Sequence, residues 1–179
     1  MGRGKRKGGE SRPLSGSGEQ ELARAREFAR ARHRGQLYGD EPYDVHLGAV
    51  VSVLYRFGYD DVTLKAAGWL HDVVEDSETT IAEVEREFGP AVATLVAAVT
   101  SEPGKNRKER NALTYPKIRA LPDAVVLKLA DRIANVENGL AQSSSLTSMY
   151  RKEAVGFREA LYVPGVADEM WLHLDGLLG

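Results

Sequence analysis

The stretch from Trp69 to Asp76 limits what this chain can fold into more than any other. It begins as the end of an apolar helix and finishes with four ionisable side chains, which are His71, Asp72, Glu75 and Asp76. An unpaired charge buried against a hydrophobic core is costly, and a bound cation would remove that cost. We therefore expect the fold to bring further metal ligands to this stretch.

Apolar residues at helical spacing cover most of the remaining chain, and no segment alternates as a half-buried strand would. Glycine and proline interrupt the pattern at Gly35, Gly58, Gly89-Pro90 and Pro164-Gly165. We therefore predict one all-α domain over residues 19–179 with about eight helices and no strand. The clearest predicted helices span residues 19–34, 45–57, 81–88, 91–100, 124–140, 147–161 and 166–178.

Local signals predict how several helices begin and end. Asp44, Asp61 and Thr80 each precede an apolar periodic segment and are expected to act as N-caps. Residues 101–111 are polar and mostly basic, which predicts a loop. The helix that follows is expected to be interrupted locally at Pro116.

Composition excludes several classes of protein. The 179 residues contain no cysteine, which excludes disulfides and thiolate metal sites, and the net charge is −2. No apolar run approaches the ~20 residues that cross a bilayer, so we expect no membrane association and a cytoplasmic location. Residues 1–18 are basic and rich in glycine and serine, which predicts a disordered tail. Only this tail favours nucleic-acid binding, which we consider unlikely for the domain.

The predicted helix over residues 124–140 has a polar face. Lys128, Asp131, Asn135 and Asn138 lie three or four positions apart and share that face. Polar groups inside a protein need partners, and a metal ion with a phosphorylated ligand would supply them.

His46, in the first turn of an earlier helix, completes a plausible metal site with these groups. The expected ligands of one divalent ion are His46, His71, Asp72 and Asp131. Imidazole and carboxylate ligands without sulfur suit manganese, iron or zinc, so the residues alone leave the metal open.

Three groups of residues resemble the HD superfamily of metal-dependent phosphohydrolases, and within it the alarmone hydrolases, including the small stand-alone enzymes. They are His33-Arg34-Gly35-Gln36 with Glu41-Pro42-Tyr43 and His46, then Leu70 to Ser77 with Thr80, then Lys128 to Arg132 with Asn135. The resemblance runs from about Leu22 to about Leu140. It implies a helical HD-type domain, a divalent ion that is usually Mn²⁺, and removal of the 3′-pyrophosphate from guanosine tetra- or pentaphosphate.

The resemblance also implies roles for individual residues. His46, His71, Asp72 and Asp131 would bind the metal. Glu75 and Asp76 would be catalytic, positioning or activating water and assisting proton transfer. Asn135 would contact the nucleotide. Lys128, Tyr38 and Asn138 are our further candidates for binding a nucleotide polyphosphate. A homo-oligomer is compatible with this assignment.

The chain departs from the family pattern where the nucleotide is recognised. Leu37-Tyr38 stands in place of an Arg-Lys pair in a loop one residue shorter, Leu47 replaces a proline, Glu137 an arginine and Asn138 a threonine. Two alternatives therefore stay open. One is an HD phosphohydrolase of another nucleotide, such as a 2′- or 3′-phosphorylated dinucleotide cofactor. The other is a non-catalytic nucleotide sensor, against which the Glu75-Asp76 pair argues.

Overall fold

The computed structural model describes residues 16–179, in which helices dominate and confirm the all-α class. The elements, in order, are α1 (Gly16–Arg32), β1 (Leu37–Tyr38), β2 (Glu41–Pro42), α2 (Asp44–Arg56), α3 (Val62–Leu70), α4 (Val73–Asp76), α5 (Ile81–Val99), α6 (Arg107–Arg119), α7 (Pro122–Ala141), α8 (Ser145–Leu161) and α9 (Asp168–Leu178). The predicted disordered tail, residues 1–18, lies outside the described residues except for its last three. Those three already belong to α1.

Helix α7 occupies the centre of the domain and packs on α2, α3, α5, α6, α8 and α9. Leu129, Ile133 and Val136 on this helix are fully buried, and each contributes about 1.5–3 kcal/mol by leaving water. Helix α1 covers α3 through Ala25 and Ala29, whose small side chains allow a close approach. None of the helices in residues 16–179 is long and apolar enough to span a membrane.

The prediction that the chain has no strand was wrong for residues 37–42. Leu37–Tyr38 and Glu41–Pro42 pair as a short antiparallel hairpin, with Tyr38 opposite Glu41. Gly39 lies in the left-handed region at φ +64, which a tight turn requires and glycine adopts without strain. Alternation over two residues is too short to be recognised in sequence.

The predicted caps of α3 and α5 are confirmed, and that of α2 was wrong. Asp61 and Thr80 accept the backbone N–H groups of Leu64 and Glu83. Asp44 is instead the first residue of α2 and lies 3.0 Å from Arg30 Nε as an ion pair. Gly89 bends α5 with φ +84, as the Gly89-Pro90 break predicted.

Helix α6 begins earlier than predicted. Asn106 caps it by accepting the Glu109 N–H at 3.0 Å, so residues 107–111 are helical rather than part of a loop. The predicted interruption at Pro116 was also wrong, because the helix continues to Arg119. Thr114 and Ile118 are buried on either side of the proline, and their packing holds the helix together.

Candidate active site

The four predicted metal ligands lie together where α2, the α3–α4 junction and α7 meet. The ligand atoms of His46, His71 and Asp131 fall within 4.8 Å of one another. His46 Nε2 lies 3.4 Å from Asp131 Oδ1, and Asp72 Oδ2 lies 3.0 Å from His71 Nε2 and 3.7 Å from His46 Nε2. Two imidazoles and two carboxylates therefore face a common point.

A break in the helix places His71 and Asp72 side by side. On one continuous helix, the spacing of four residues would stack His71 on Glu75 and Asp72 on Asp76. Instead α3 ends at Leu70, Asp72 has φ −102 and ψ −5, and the single turn α4 starts at Val73. Val73 is fully buried and anchors this turn to the core.

The hydrogen bond of His71 leaves one ring nitrogen available for a cation. Its Nδ1 lies 2.9 Å from the Gly68 carbonyl, which only accepts, so Nδ1 carries the proton. Nε2 is buried without a hydrogen-bond partner among the described residues, although it faces carboxylate oxygens. This is how metal-binding histidines are commonly oriented, and the residues present therefore fit a divalent ion.

His71 and Asp72 shift each other's pKa values strongly. Burial alone would lower the pKa of His71, but the adjoining Asp72 carboxylate outweighs it and raises the pKa to about 9. Burial would raise the pKa of Asp72, but His71 lowers it to about 2. These shifts indicate that the site holds positive charge readily, from protons or from a metal ion.

Lys128 and Asn135 both hold the Asp131 carboxylate. Lys128 Nζ donates to Oδ2 at 2.8 Å, and Asn135 Nδ2 donates to Oδ1 at 2.6 Å. Burial would raise the pKa of Asp131, but the Lys128 ammonium helps to hold it well below its usual range. Two of the predicted nucleotide contacts thus orient a predicted metal ligand in this structure.

Two tyrosines from the hairpin region cover the same groups. Tyr38 stacks on His46 with ring centroids 4.8 Å apart and donates its hydroxyl hydrogen bond to Asn135 Oδ1 at 2.8 Å. Asn138 contacts the same hydroxyl, and burial raises the pKa of Tyr38 to about 12. Tyr43 donates to Asp72 Oδ2 at 2.7 Å. The sequence singled out Tyr38 but gave Tyr43 no role.

The predicted catalytic pair is exposed at the end of α4. Glu75 Oε1 accepts the Ser101 N–H at 2.9 Å, which fastens the loop before α6 to this pair. Asp76 Oδ2 accepts from Gln36 Nε2 at 2.8 Å. Both carboxylates therefore have defined partners and remain accessible to a substrate.

Arg132, next to Asp131, is clamped rather than free. It is buried between the Tyr150 and Phe157 rings, 4.4 and 4.1 Å from their centroids, and pairs with Glu153 at 3.3 Å. Arg107 binds the same glutamate at 2.6 Å. Within the basic segment 101–111, the charge of Arg107 is therefore paired with Glu153. Lys105 and Lys108 in the same segment are exposed.

One departure from the family pattern, Glu137, makes contacts between helices. Glu137 pairs with Arg56 at 2.9 Å and accepts a hydrogen bond from His173 Nε2 at 2.8 Å, if that nitrogen carries the proton. It therefore ties α7 to α2 and α9. His173, expected at a surface or interface, is half-buried in this cluster.

Comparison with known proteins gives one family. The family model described as HD domain matches residues 25–155. A solved structure described as a metazoan ortholog of SpoT that hydrolyses ppGpp aligns with a TM-score of 0.76 and 26% identity, covering 88% of this chain and 93% of its own. The structure of lmo0812 from Listeria monocytogenes aligns with a TM-score of 0.62 and 26% identity, covering 74% of this chain and 96% of its own.

Two curated relatives share the same enzyme name, guanosine-3′,5′-bis(diphosphate) 3′-pyrophosphohydrolase. Human MESH1 is 36% identical over 128 residues, which are 69% of this chain and 72% of MESH1. The Aquifex aeolicus protein is 38% identical over 123 residues, which are 66% of this chain. The chain spans only 18% of that protein's length.

Proposed function

Because the chain belongs to the HD domain family, we propose that it is a metal-dependent phosphohydrolase that removes the 3′-pyrophosphate of guanosine tetra- or pentaphosphate. The observation that carries this proposal is the convergence of His46, His71 and Asp131 on one point, beside an accessible acidic pair. The names of MESH1 and the Aquifex protein supply the substrate.

We assign the metal site to His46, His71, Asp72 and Asp131, and we propose Mn²⁺ as the ion. A divalent ion held there would supply positive charge that acidifies a water molecule and neutralises phosphoryl oxygens. Lys128 and Asn135 keep Asp131 ionised and oriented, and Tyr43 does the same for Asp72. These contacts arrange the ligands before an ion binds.

Glu75 and Asp76 are the proton-transfer residues of the proposed reaction. Gln36 and the Ser101 N–H each engage one carboxylate oxygen of this pair, and the second oxygen of each group is left to accept a proton from water. The non-catalytic sensor loses support here, because binding alone requires no such pair.

The nucleotide would be bound by Asn135, Asn138, Tyr38 and Lys128. The exposed Lys105 and Lys108 would attract the polyphosphate by charge. A cytoplasmic location and a homo-oligomer remain predictions from the sequence.

A phosphohydrolase of another phosphorylated nucleotide is the second candidate. Tyr38 favours it, because this aromatic residue lies over His46 where the family has a basic pair for the nucleotide. Such an enzyme would use the same metal ligands and the same acidic pair, and would differ only at the hairpin.

Product analysis distinguishes the alarmone from another phosphorylated nucleotide as the substrate. The purified protein is incubated with Mn²⁺ and guanosine tetraphosphate, and the products are separated by ion-exchange chromatography. We expect pyrophosphate and guanosine diphosphate from the wild type and from Asp123→Asn, an exposed position on α7, but not from Asp72→Asn. Absence of these products from a wild type that binds Mn²⁺ would reject the alarmone, and phosphorylated dinucleotides would be assayed next.

A further inference from the structure

Gln36 links the end of α1, the hairpin and the acidic pair. Its N–H donates to the His33 carbonyl at 2.9 Å, and its carbonyl accepts from Tyr43 N–H at 3.1 Å. Its side-chain Oε1 lies 2.8 Å from His33 Nδ1, and its Nε2 donates to Asp76 Oδ2 at 2.8 Å. Both the backbone and the side chain of this residue are therefore held in place.

The chemistry of Asp76 fixes the direction of this chain of hydrogen bonds. An ionised carboxylate only accepts, so Gln36 must turn its NH₂ group towards Asp76 and its oxygen towards His33. The amide oxygen in turn only accepts, so His33 Nδ1 carries the proton. His33 is buried, with 4% of its surface exposed, and cannot easily turn away.

His33 also supports the other side of the site. Its ring stacks on Tyr43 with centroids 4.6 Å apart and an interplanar angle of 23°. The Tyr43 hydroxyl donates to the metal-ligand candidate Asp72 at 2.7 Å. The buried His33 thus orients both the Gln36 amide, which contacts Asp76, and the Tyr43 phenol, which contacts Asp72.

We propose that Gln36 is a positioning residue that holds Asp76 in the orientation needed to accept a proton from the attacking water. The proposal rests on the proposed function. The Gln36 amide fixes the direction of the Asp76 carboxylate through one hydrogen bond and brings no charge next to it. Gln36 engages one carboxylate oxygen and leaves the other for the proton.

Steady-state kinetics of Gln36→Met in two backgrounds test this role. Methionine keeps the length of the side chain but makes neither hydrogen bond, and the cavity of about 460 Å³ beside Gln36 gives it room. We expect kcat to fall about 10- to 100-fold, while KM changes less than about threefold. In an Asp76→Asn background the same substitution should lower kcat by less than about threefold, because the residue it positions is already gone.

Gln20→Ala, an exposed position on α1, is the matched control and should behave as the wild type. Three results would overturn the proposal: wild-type kcat in Gln36→Met, an effect confined to KM, or equal losses of kcat in the two backgrounds. Circular dichroism establishes that each variant is folded before its kinetics are compared.

A second measurement needs no turnover and separates this proposal from the proposed function. The side-chain amide resonances of Gln36, assigned by their loss in Gln36→Met, should shift in Asp76→Asn. They should not shift in Asp175→Asn, which neutralises a carboxylate on α9 that accepts a hydrogen bond from Arg158 on α8. If the wild type leaves guanosine tetraphosphate intact but the shift occurs, the substrate is wrong and the contact stands. Unchanged resonances in Asp76→Asn would refute the contact itself.

Discussion

At the scale of single residues, the two carboxylate oxygens of Asp131 have different partners. Oδ2 binds Lys128 at 2.8 Å, and Oδ1 binds Asn135 at 2.6 Å while lying 3.4 Å from His46 Nε2. Two fixed donors hold the carboxylate ionised in a buried place, where an unpaired charge would be costly. Neither oxygen can reorient without losing a charge-assisted hydrogen bond.

Asp131→Asn should abolish metal binding and turnover. The amide carries no negative charge and would place an N–H group against Lys128 or against the metal position. We expect Mn²⁺ affinity to fall at least about 100-fold, since altering the groups around metal ligands alone costs that much. Titration calorimetry measures the affinity, with Asp123→Asn on the same helix as the control. Unchanged Mn²⁺ affinity in the folded variant would contradict the assignment of this ligand.

The sequence singled out the candidate metal ligands but not the residues that hold them in place. Lys128, Asp131 and Asn135 share a helix face, and that spacing can be read without a structure. Gln36 and Tyr43 belong to a segment recognised by resemblance, yet their contacts depend on tertiary structure. The Tyr38–Asn135 bond joins residues 97 positions apart, and no local pattern encodes such a pair.

At the scale of elements, α6 shows how one cap changes a loop into a helix. Basic residues at 105–110 favoured a solvated loop in sequence, but Asn106 accepts the Glu109 N–H, and Glu109 Oε2 accepts the Lys105 N–H at 2.8 Å. This pair satisfies backbone donors that a helix N-terminus otherwise leaves open. The continuity of the helix through Pro116 could not be predicted, because packing of the residues beside it decides the outcome.

Asn106→Ala should destabilise the protein without altering the site. Loss of an N-cap costs about 1 kcal/mol, which lowers Tm by about 2–4 °C for a chain of this size. Thermal melts followed by circular dichroism measure the change, and Asn111→Ala, within the same helix, is the control. A Tm equal to that of the wild type would show that the cap is not needed.

Glu153 on α8 joins α6 and α7 and makes the stability of the domain depend on pH. Burial would raise its pKa, but the guanidinium groups of Arg107 and Arg132 outweigh burial and hold the pKa below the usual 4.5. The native state therefore binds fewer protons than the unfolded state. The stabilisation is complete above pH 4.5 and is lost as the pH falls through the native pKa.

Glu153→Gln should remove this dependence. We expect a lower Tm than the wild type at neutral pH and a smaller further decline as the solution is acidified past pH 4.5. Melts over that range measure it, beside Glu159→Gln, an exposed glutamate on the same helix. If acidification lowers the Tm of the wild type and that of Glu153→Gln equally, the ion pairs of Glu153 do not cause the pH dependence.

At the scale of the whole molecule, the candidate ligands come from α2, the α3–α4 junction and α7, with α7 at the centre. An ion bound by all of them would connect three elements that already pack on one another. The general helical fold followed from periodicity and from glycine and proline positions. The Gly89-Pro90 pair also predicted the kink in α5. The break between α3 and α4 could not be predicted, because apolar spacing continues across it.

Removal of the metal should therefore lower the stability of the entire domain. A ligand present at about 100 times its Kd stabilises the native state by about 2.7 kcal/mol. We expect Mn²⁺ to raise the Tm of the chelator-treated wild type and to leave Asp131→Asn unchanged. Equal Mn²⁺ responses in the two proteins would place the ion elsewhere.

The spacing of the proposed metal ligands along the chain also determines when the site can form during translation. Asp131 lies 59 positions after Asp72, a distance that translation covers in roughly 3–12 s at about 5–20 residues per second. During that interval the nascent chain carries the proposed ligands His46, His71 and Asp72 without Asp131. If these four residues bind the ion as proposed, an ion that arrives early would meet an unfinished site, and the folded protein rather than the growing chain would select the metal.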